Sequence, residues 1–143
     1  LIFKSRVTFI SNLRKPINMT NDEKIKQAVL ECSKKWIEAF NKGDTDTCVA
    51  GYQADAIINA KPLGTFKGTG KIDAFWRPFM ASGASELKYT DVNLEVVDGS
   101  TVLLSASWTM NVGRGIITLE KWVLQSDGKW LLAQDDFEIQ ENY

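Results

Sequence analysis

The sequence predicts an α+β fold, with helices packed on one face of a strongly curved antiparallel sheet. Apolar residues recur at helical spacing early in the chain and at strand spacing late in it. Helices first and a strand meander last is the α+β order of elements. The late strands run to ten residues or more, and strands of that length coil. The sheet should therefore wrap into a half-barrel against the long first helix and leave a conical cavity. At 143 residues the chain is sized for one domain with its own core.

Residues 1–18 carry four basic residues and no acid, and are expected to form an extension ahead of a single domain over 19–143. They fit a signal peptide poorly, because Lys4 and Arg6 break the apolar run and no small-residue cleavage site follows. Met19, just before a helix start, reads as an initiator. Thr20, Asn21, Asp22 and Glu23 then supply N-cap candidates and first-turn acids. Ile25, Val29, Cys32, Trp36, Ile37 and Phe40 follow at helical spacing, and Gly43 suits the position just past the helix end. Asp44 can cap a short second helix ending near Tyr52. Residues 56–60 read as a strand, followed by a loop through Pro62, Gly64 and Gly68. A third helix over 70–80 carries the stripe Ile72, Phe75, Trp76 and Phe79. Pro78 removes a hydrogen bond late in it and predicts a kink or a tightened last turn. Strands follow over 87–97 and 101–112, with turns expected at Asp98-Gly99 and Gly113-Arg114-Gly115.

The last stretch, 115–140, is two β-rich runs joined by a loop containing Asp127-Gly128, a hairpin signal. Alternation groups Thr118, Glu120, Trp122 and Leu124 on one side of the first run. It groups Leu131, Ala133, Asp135, Phe137 and Ile139 on one side of the second. If these faces coincide, two carboxylates lie on an otherwise apolar surface, where an unpaired charge is costly. Glu120 and Asp135 then form a coupled acid and base, or else point outward or cap backbone groups at the sheet edge. Trp130, Leu132 and Gln134 fall on the opposite face, and an outward tryptophan predicts a homodimer through the convex sheet face.

Composition narrows the function classes. Seventeen basic and 18 acidic residues give no field that would attract nucleic acid. No apolar run is long enough to span a membrane. The chain contains no histidine, which removes the commonest acid/base residue and zinc ligand. Cys32 and Cys48 form either one disulfide or two reduced thiols of a cytoplasmic protein. Arg114 is either an anion contact at a cavity mouth or a solvated turn residue. Gly64, Gly68 and Gly70 lack the Gly-Lys-Ser/Thr ending of a phosphate loop. Trp36, Phe40, Tyr52, Phe75, Trp76, Trp108, Trp122 and Phe137 either line a pocket or pack as core.

Trp36 to Asp44, Tyr52 to Ala56, Phe66 to Gly70 and Asp127 to Phe137 resemble motifs of nuclear transport factor 2-like, or SnoaL-like, domains. The resemblance runs from Thr20 to Gln140 and implies a cystatin-like cone of the ketosteroid isomerase type. Glu120 falls where isomerase-like members carry a pocket carboxylic acid. Trp36 and Trp76 replace their hydrogen-bonding tyrosines, and Tyr52 matches a third. Ala60 falls where their general base belongs, so that base is missing unless Asn59 or Lys61 has a role. Asp135 matches an acidic position of SnoaL-like cyclases and limonene epoxide hydrolase-like members, whose intervening arginine is here Thr118.

The resulting expectation is an aromatic-lined cavity for a small, largely apolar molecule. Glu120 and Asp135 are the expected catalytic pair. Trp36, Phe40, Tyr52, Asn59, Trp76, Trp108, Trp122 and Phe137 are the expected ligand contacts. No metal or cofactor is expected. The chemistry would be that of an isomerase, lyase or epoxide hydrolase, and the alternative is a non-catalytic ligand-binding or dimeric assembly module. The discriminating feature is whether both carboxylates face an open pocket without a neutralising Lys or Arg.

Overall fold

The structure, a computed structural model, describes residues 19–143; the extension expected over 1–18 lies outside the described residues. Three helices, α1 (Asn21–Asn41), α2 (Thr45–Ala50) and α3 (Thr69–Ala81), pack against one sheet. Its six strands are β1 (Tyr52–Lys61), β2 (Gly64–Lys67), β3 (Lys88–Asp98), β4 (Thr101–Met110), β5 (Gly113–Leu124) and β6 (Trp130–Asn142). Their order across the sheet is β2-β1-β6-β5-β4-β3. The α+β class is as expected, but the sheet is mixed. β1 pairs parallel with β6, while every other pairing is antiparallel. The crossover from β1 to β6 carries all the intervening elements, so the two strands meet running in the same direction.

The helix ends follow the local chemistry. Thr20 and Glu23 form a reciprocal capping box on α1, and Asp44 caps α2 through Thr47 N–H at 3.2 Å. Gly43 adopts φ +76°, the left-handed conformation that glycine takes without strain. The Asn41 side chain bonds both Leu87 N–H (2.7 Å) and Leu87 C=O (3.1 Å), fixing the end of α1 to the entry of β3. That link holds Trp36 and Phe40 of α1 over the sheet face that carries Tyr89.

Bulges decide which residues reach the core. On β5, Ile117 pairs with Phe137 and Leu119 with Asp136, leaving Thr118 as the extra residue. Gly115 and Ile117 therefore face the core, and so do Glu120 and Trp122, while Thr118 is exposed. The expected grouping of Thr118 with Glu120 is corrected. A second bulge at Ala133 reverses the faces of β6 in the same way, since Lys121 pairs with Gln134 and Trp122 with Leu132. Leu132 is 2% exposed and in the core, and Trp130 packs against that core. The outward placement expected for both is therefore wrong, and Leu131 takes the outer face instead.

The loop expected after Pro62 contains the short strand β2, paired with β1 from Ile57 to Ala60. Gly113 and Gly115 lie within β5 and not in the turn, which falls at Asn111 and Val112. Both glycines are needed for close approach. A Cβ on Gly113 would meet the Glu141 carbonyl at 2.6 Å, and one on Gly115 would meet the Glu138 carbonyl and the Trp108 ring. Cys48 is buried and Cys32 half-buried, both as free thiols. No helix among the described residues is long and apolar enough to cross a membrane.

Candidate active site

Between the helices and the concave sheet face lies a cavity of about 270 Å³. Its wall is almost wholly apolar. Trp36 and Phe40 come from α1, and Phe75, Trp76 and Phe79 from α3. Trp108 comes from β4, Ile117 from β5, and Phe137 and Ile139 from β6. The aromatic rings brace one another: Trp76 stacks on Phe137 at 5.9 Å and meets Trp36 and Phe75 edge-on at 5.4 and 4.8 Å. Leu63 and Val112, both exposed, lie at its edge.

Asp135 is the charged residue in that wall, 4% exposed. Its Oδ2 accepts the Tyr52 hydroxyl at 2.6 Å, and that hydroxyl accepts Trp76 Nε1–H at 3.1 Å. Its Oδ1 is buried and has no partner. Directly opposite across the β5–β6 ladder is Glu120, 3% exposed. Glu120 does not reach the main cavity. It borders a small gap behind it, with Ser33, Trp122 and Leu132. Both its oxygens are engaged, Oε2 by the Tyr89 hydroxyl at 2.7 Å and Oε1 by Trp122 Nε1–H at 2.9 Å.

The pair's electrostatics follow from burial. Burial pushes the Asp135 carboxyl well above the usual carboxylate range, and the neighbouring Glu120 charge pushes it the same way, against the pull of the Tyr52 hydrogen bond. Burial raises Glu120 too, opposed by its bonds from Tyr89 and Trp122. Among the described residues, neither carboxyl has a Lys or Arg partner. The two titrate as a pair that retains a proton beyond the ordinary range. Two donors favour the ionised form of Glu120, whereas Asp135 has one donor and a free oxygen. The count of donors therefore favours Asp135 over Glu120 as the group that holds the proton.

Of the expected ligand contacts, Trp36, Phe40, Trp76, Trp108 and Phe137 line the cavity. Tyr52 and Trp122 stand behind the wall as hydrogen-bond donors to Asp135 and Glu120. Asn59 is on the other side of the sheet and is corrected. Ile58 and Ala60 take the buried positions of β1, so alternation turns Asn59 outward, where it donates to Asp136 at 2.8 Å. Arg114 is solvated and pairs with Glu141 at 2.9 Å. Tyr89 was missed, although it both lines the cavity and bonds Glu120. Its signal was the alternation of Leu87, just before β3, with Tyr89 inside it, both of which turn inward.

The fold has clear counterparts. A candidate scytalone dehydratase from Novosphingobium aromaticivorans superposes with a TM-score of 0.75 at 10% identity, over 86% of this chain and 89% of that one. A protein of unknown function with a cystatin-like fold from Nostoc punctiforme gives 0.71 at 14% identity, over 85% and 94%. A nuclear transport factor 2-like protein of unknown function from Pseudomonas putida gives 0.71 at 14%, over 80% and 86%. At such identities the likeness is one of fold. No curated protein matches the sequence. The family model of the SnoaL-like domain matches residues 34–130, more than half of the chain and most of the cavity-forming elements, so the chain belongs to the SnoaL-like domain family.

Proposed function

We propose that the protein binds a small, largely apolar molecule in the cone and exchanges protons with it through Asp135, without a cofactor. The observation that carries this reading is the free Oδ1 of Asp135, a buried carboxyl oxygen without a partner on the wall of an apolar cavity. A carboxyl held above the usual carboxylate range by burial and a neighbouring carboxyl keeps its proton longer and is a stronger base once it is lost, which suits general acid–base catalysis. Glu120 is the tuning partner. Its charge raises Asp135, and its two donors keep it from taking the proton itself. An isomerase or lyase reaction fits a wall with so few polar groups better than hydrolysis, which needs side chains to hold an attacking water. We propose further that a homodimer buries the convex sheet face. Leu103, Ile116, Leu119, Val123 and Leu131 stand outward there, on the face without helices.

The test is hydrogen–deuterium exchange at the acidic carbon of 2-tetralone, a bicyclic ketone, followed by proton NMR in D2O. Wild type should accelerate exchange, and Asp135→Asn should reduce it to the buffer rate while still binding the ketone. Equal exchange by the two proteins overturns the role of Asp135. Binding by wild type without any exchange supports the non-catalytic binding module, which the full engagement of both Glu120 oxygens also favours.

A further inference from the structure

Two buried side-chain polar atoms among the described residues lack a hydrogen-bond partner: Asp135 Oδ1 and Trp108 Nε1. Both residues line the same cavity. The other buried donors on that wall are used within the protein. Trp36 Nε1–H donates to the Cys48 carbonyl at 3.0 Å, Trp76 Nε1–H to Tyr52, and the Tyr89 hydroxyl to Glu120. A buried donor left unpaired is disfavoured by roughly 1–3 kcal/mol, so it calls for an explanation. Trp108 is also seated by a specific feature of its neighbour. It pairs with Gly115 across the β4–β5 ladder, and a Cβ there would come within 2.7 Å of the indole Cζ2. The ring thus occupies space that only a glycine leaves open.

The two unpaired atoms belong to different levels of the cone. Trp108 aligns with Gly115 and Ile139, whereas Asp135 lies opposite Glu120. Ile139 and Asp135 are four residues apart on β6, and at about 3.3 Å per residue the two levels are separated by roughly 13 Å of strand. Both side chains reach the one cavity from these different levels, which favours a ligand with two polar groups over one with a single group.

We infer that the ligand is bifunctional: an apolar, ring-sized framework with a hydrogen-bond acceptor oxygen that takes the Trp108 N–H, remote from the group that meets Asp135. This inference rests on the reading of the cone as a ligand site. Trp108 is then a positioning and specificity residue, holding the far end of the molecule so that its reactive end is fixed at Asp135. A purely hydrocarbon ligand would leave the indole N–H unpaired and is selected against on that ground.

The experiment compares 6-methoxy-2-tetralone with 6-ethyl-2-tetralone, a near-isostere lacking the ether oxygen, by isothermal titration calorimetry on wild type, Trp108→Phe and Asp135→Asn. The ratio of the two dissociation constants in wild type should exceed that in Trp108→Phe by about tenfold, the weight of one hydrogen bond to a buried donor. The same preference should survive in Asp135→Asn, whose exchange activity is lost. In ¹⁵N-labelled protein the indole N–H resonance assigned to Trp108, by its absence from Trp108→Phe, should move downfield with the methoxy ligand and not with the ethyl one. An equal ratio in wild type and Trp108→Phe, or an indole resonance indifferent to the ether oxygen, overturns the assignment. That result leaves Asp135 chemistry standing if exchange persists. Failure of both ketones to bind wild type overturns the inference together with the cavity's reading as a ligand site.

Discussion

Replacing Glu120 by glutamine tests the buried pair through stability alone. The chain contains no histidine, so no side chain has an ordinary pKa between about 5 and 8. Asp44, Asp73 and Asp98 are held below the usual range, chiefly by hydrogen bonds. The stability they contribute is present above about pH 4 and is lost only as the pH falls through their folded values. Tyr52 and Tyr89 are pushed up by burial, and Cys48 is pushed up to about 12. Their contributions change only above about pH 8.5. The interval between is left to Glu120 and Asp135, both raised by burial. The unfolded chain releases their protons near pH 4 while the folded pair keeps them. Stability from this source is therefore fully present below about 4 and is lost as pH rises through the folded values. The slope is about 1.4 kcal/mol per pH unit for each retained proton, with a ceiling of about 2.8 while both are held. Glu120→Gln leaves one titrating group and removes the charge that raises Asp135. Its slope is capped at about 1.4 kcal/mol per unit, and its decline should end at a lower pH. Urea titrations followed by tryptophan fluorescence at half-unit steps from pH 4.5 to 8 measure both slopes. A wild-type stability that is flat across this interval, or a Glu120→Gln decline that ends at the same pH as the wild-type one, refutes the coupled buried pair.

Tyr52→Phe removes the hydroxyl that both accepts from Trp76 and donates to Asp135, and should cost about 1–3 kcal/mol in chemical denaturation because two buried groups lose their partner. Gly115→Ala puts a Cβ against the Glu138 carbonyl and the Trp108 ring, and should cost about 1–3 kcal/mol by overpacking, with a visible change in Trp108 fluorescence or NMR environment.

The legible part of the fold was the part written in periodicity. The α1 stripe, the Asp44 cap and the long strands of the second half all lie where their spacing places them, because burial selects one face of each element. Two things were not legible. The parallel pairing of β1 with β6 depends on how a strand from the first half docks, and no local signal carries that. The bulges at Thr118 and Ala133 were also silent in the sequence, and each reverses the face of every residue on one side of it. Strict alternation placed Glu120 and Asp135 inward correctly. It misplaced Thr118, Leu131 and Leu132, and with them the tryptophan chosen for the outer surface. Asn59 failed differently: its place in the site was inferred from the nearness of a missing base at Ala60, and one step along a strand is the opposite face.

Glu120 and Asp135 sit opposite each other in the same ladder and are equally buried, so position alone does not assign the proton. The count of donors does. Glu120 accepts from Tyr89 and Trp122, while Asp135 accepts from Tyr52 alone. Taking a donor from Glu120 should therefore shift the proton toward it. Trp122→Phe does this without touching the main cavity, which Trp122 does not line. A Glu120 that holds a proton more tightly carries less negative charge beside Asp135, and the Asp135 carboxyl then ionises at lower pH. The rising limb of the pH–rate profile for ketone exchange should move to lower pH, with the rate at its plateau reduced because the base is weaker. The ketone dissociation constant should stay within about twofold, as expected when no ligand contact is removed. A limb that stays in place while the circular dichroism spectrum remains native would mean that Glu120 does not set the proton affinity of Asp135. The raised proton affinity of Asp135 would then rest on burial alone, against the pull of the Tyr52 bond.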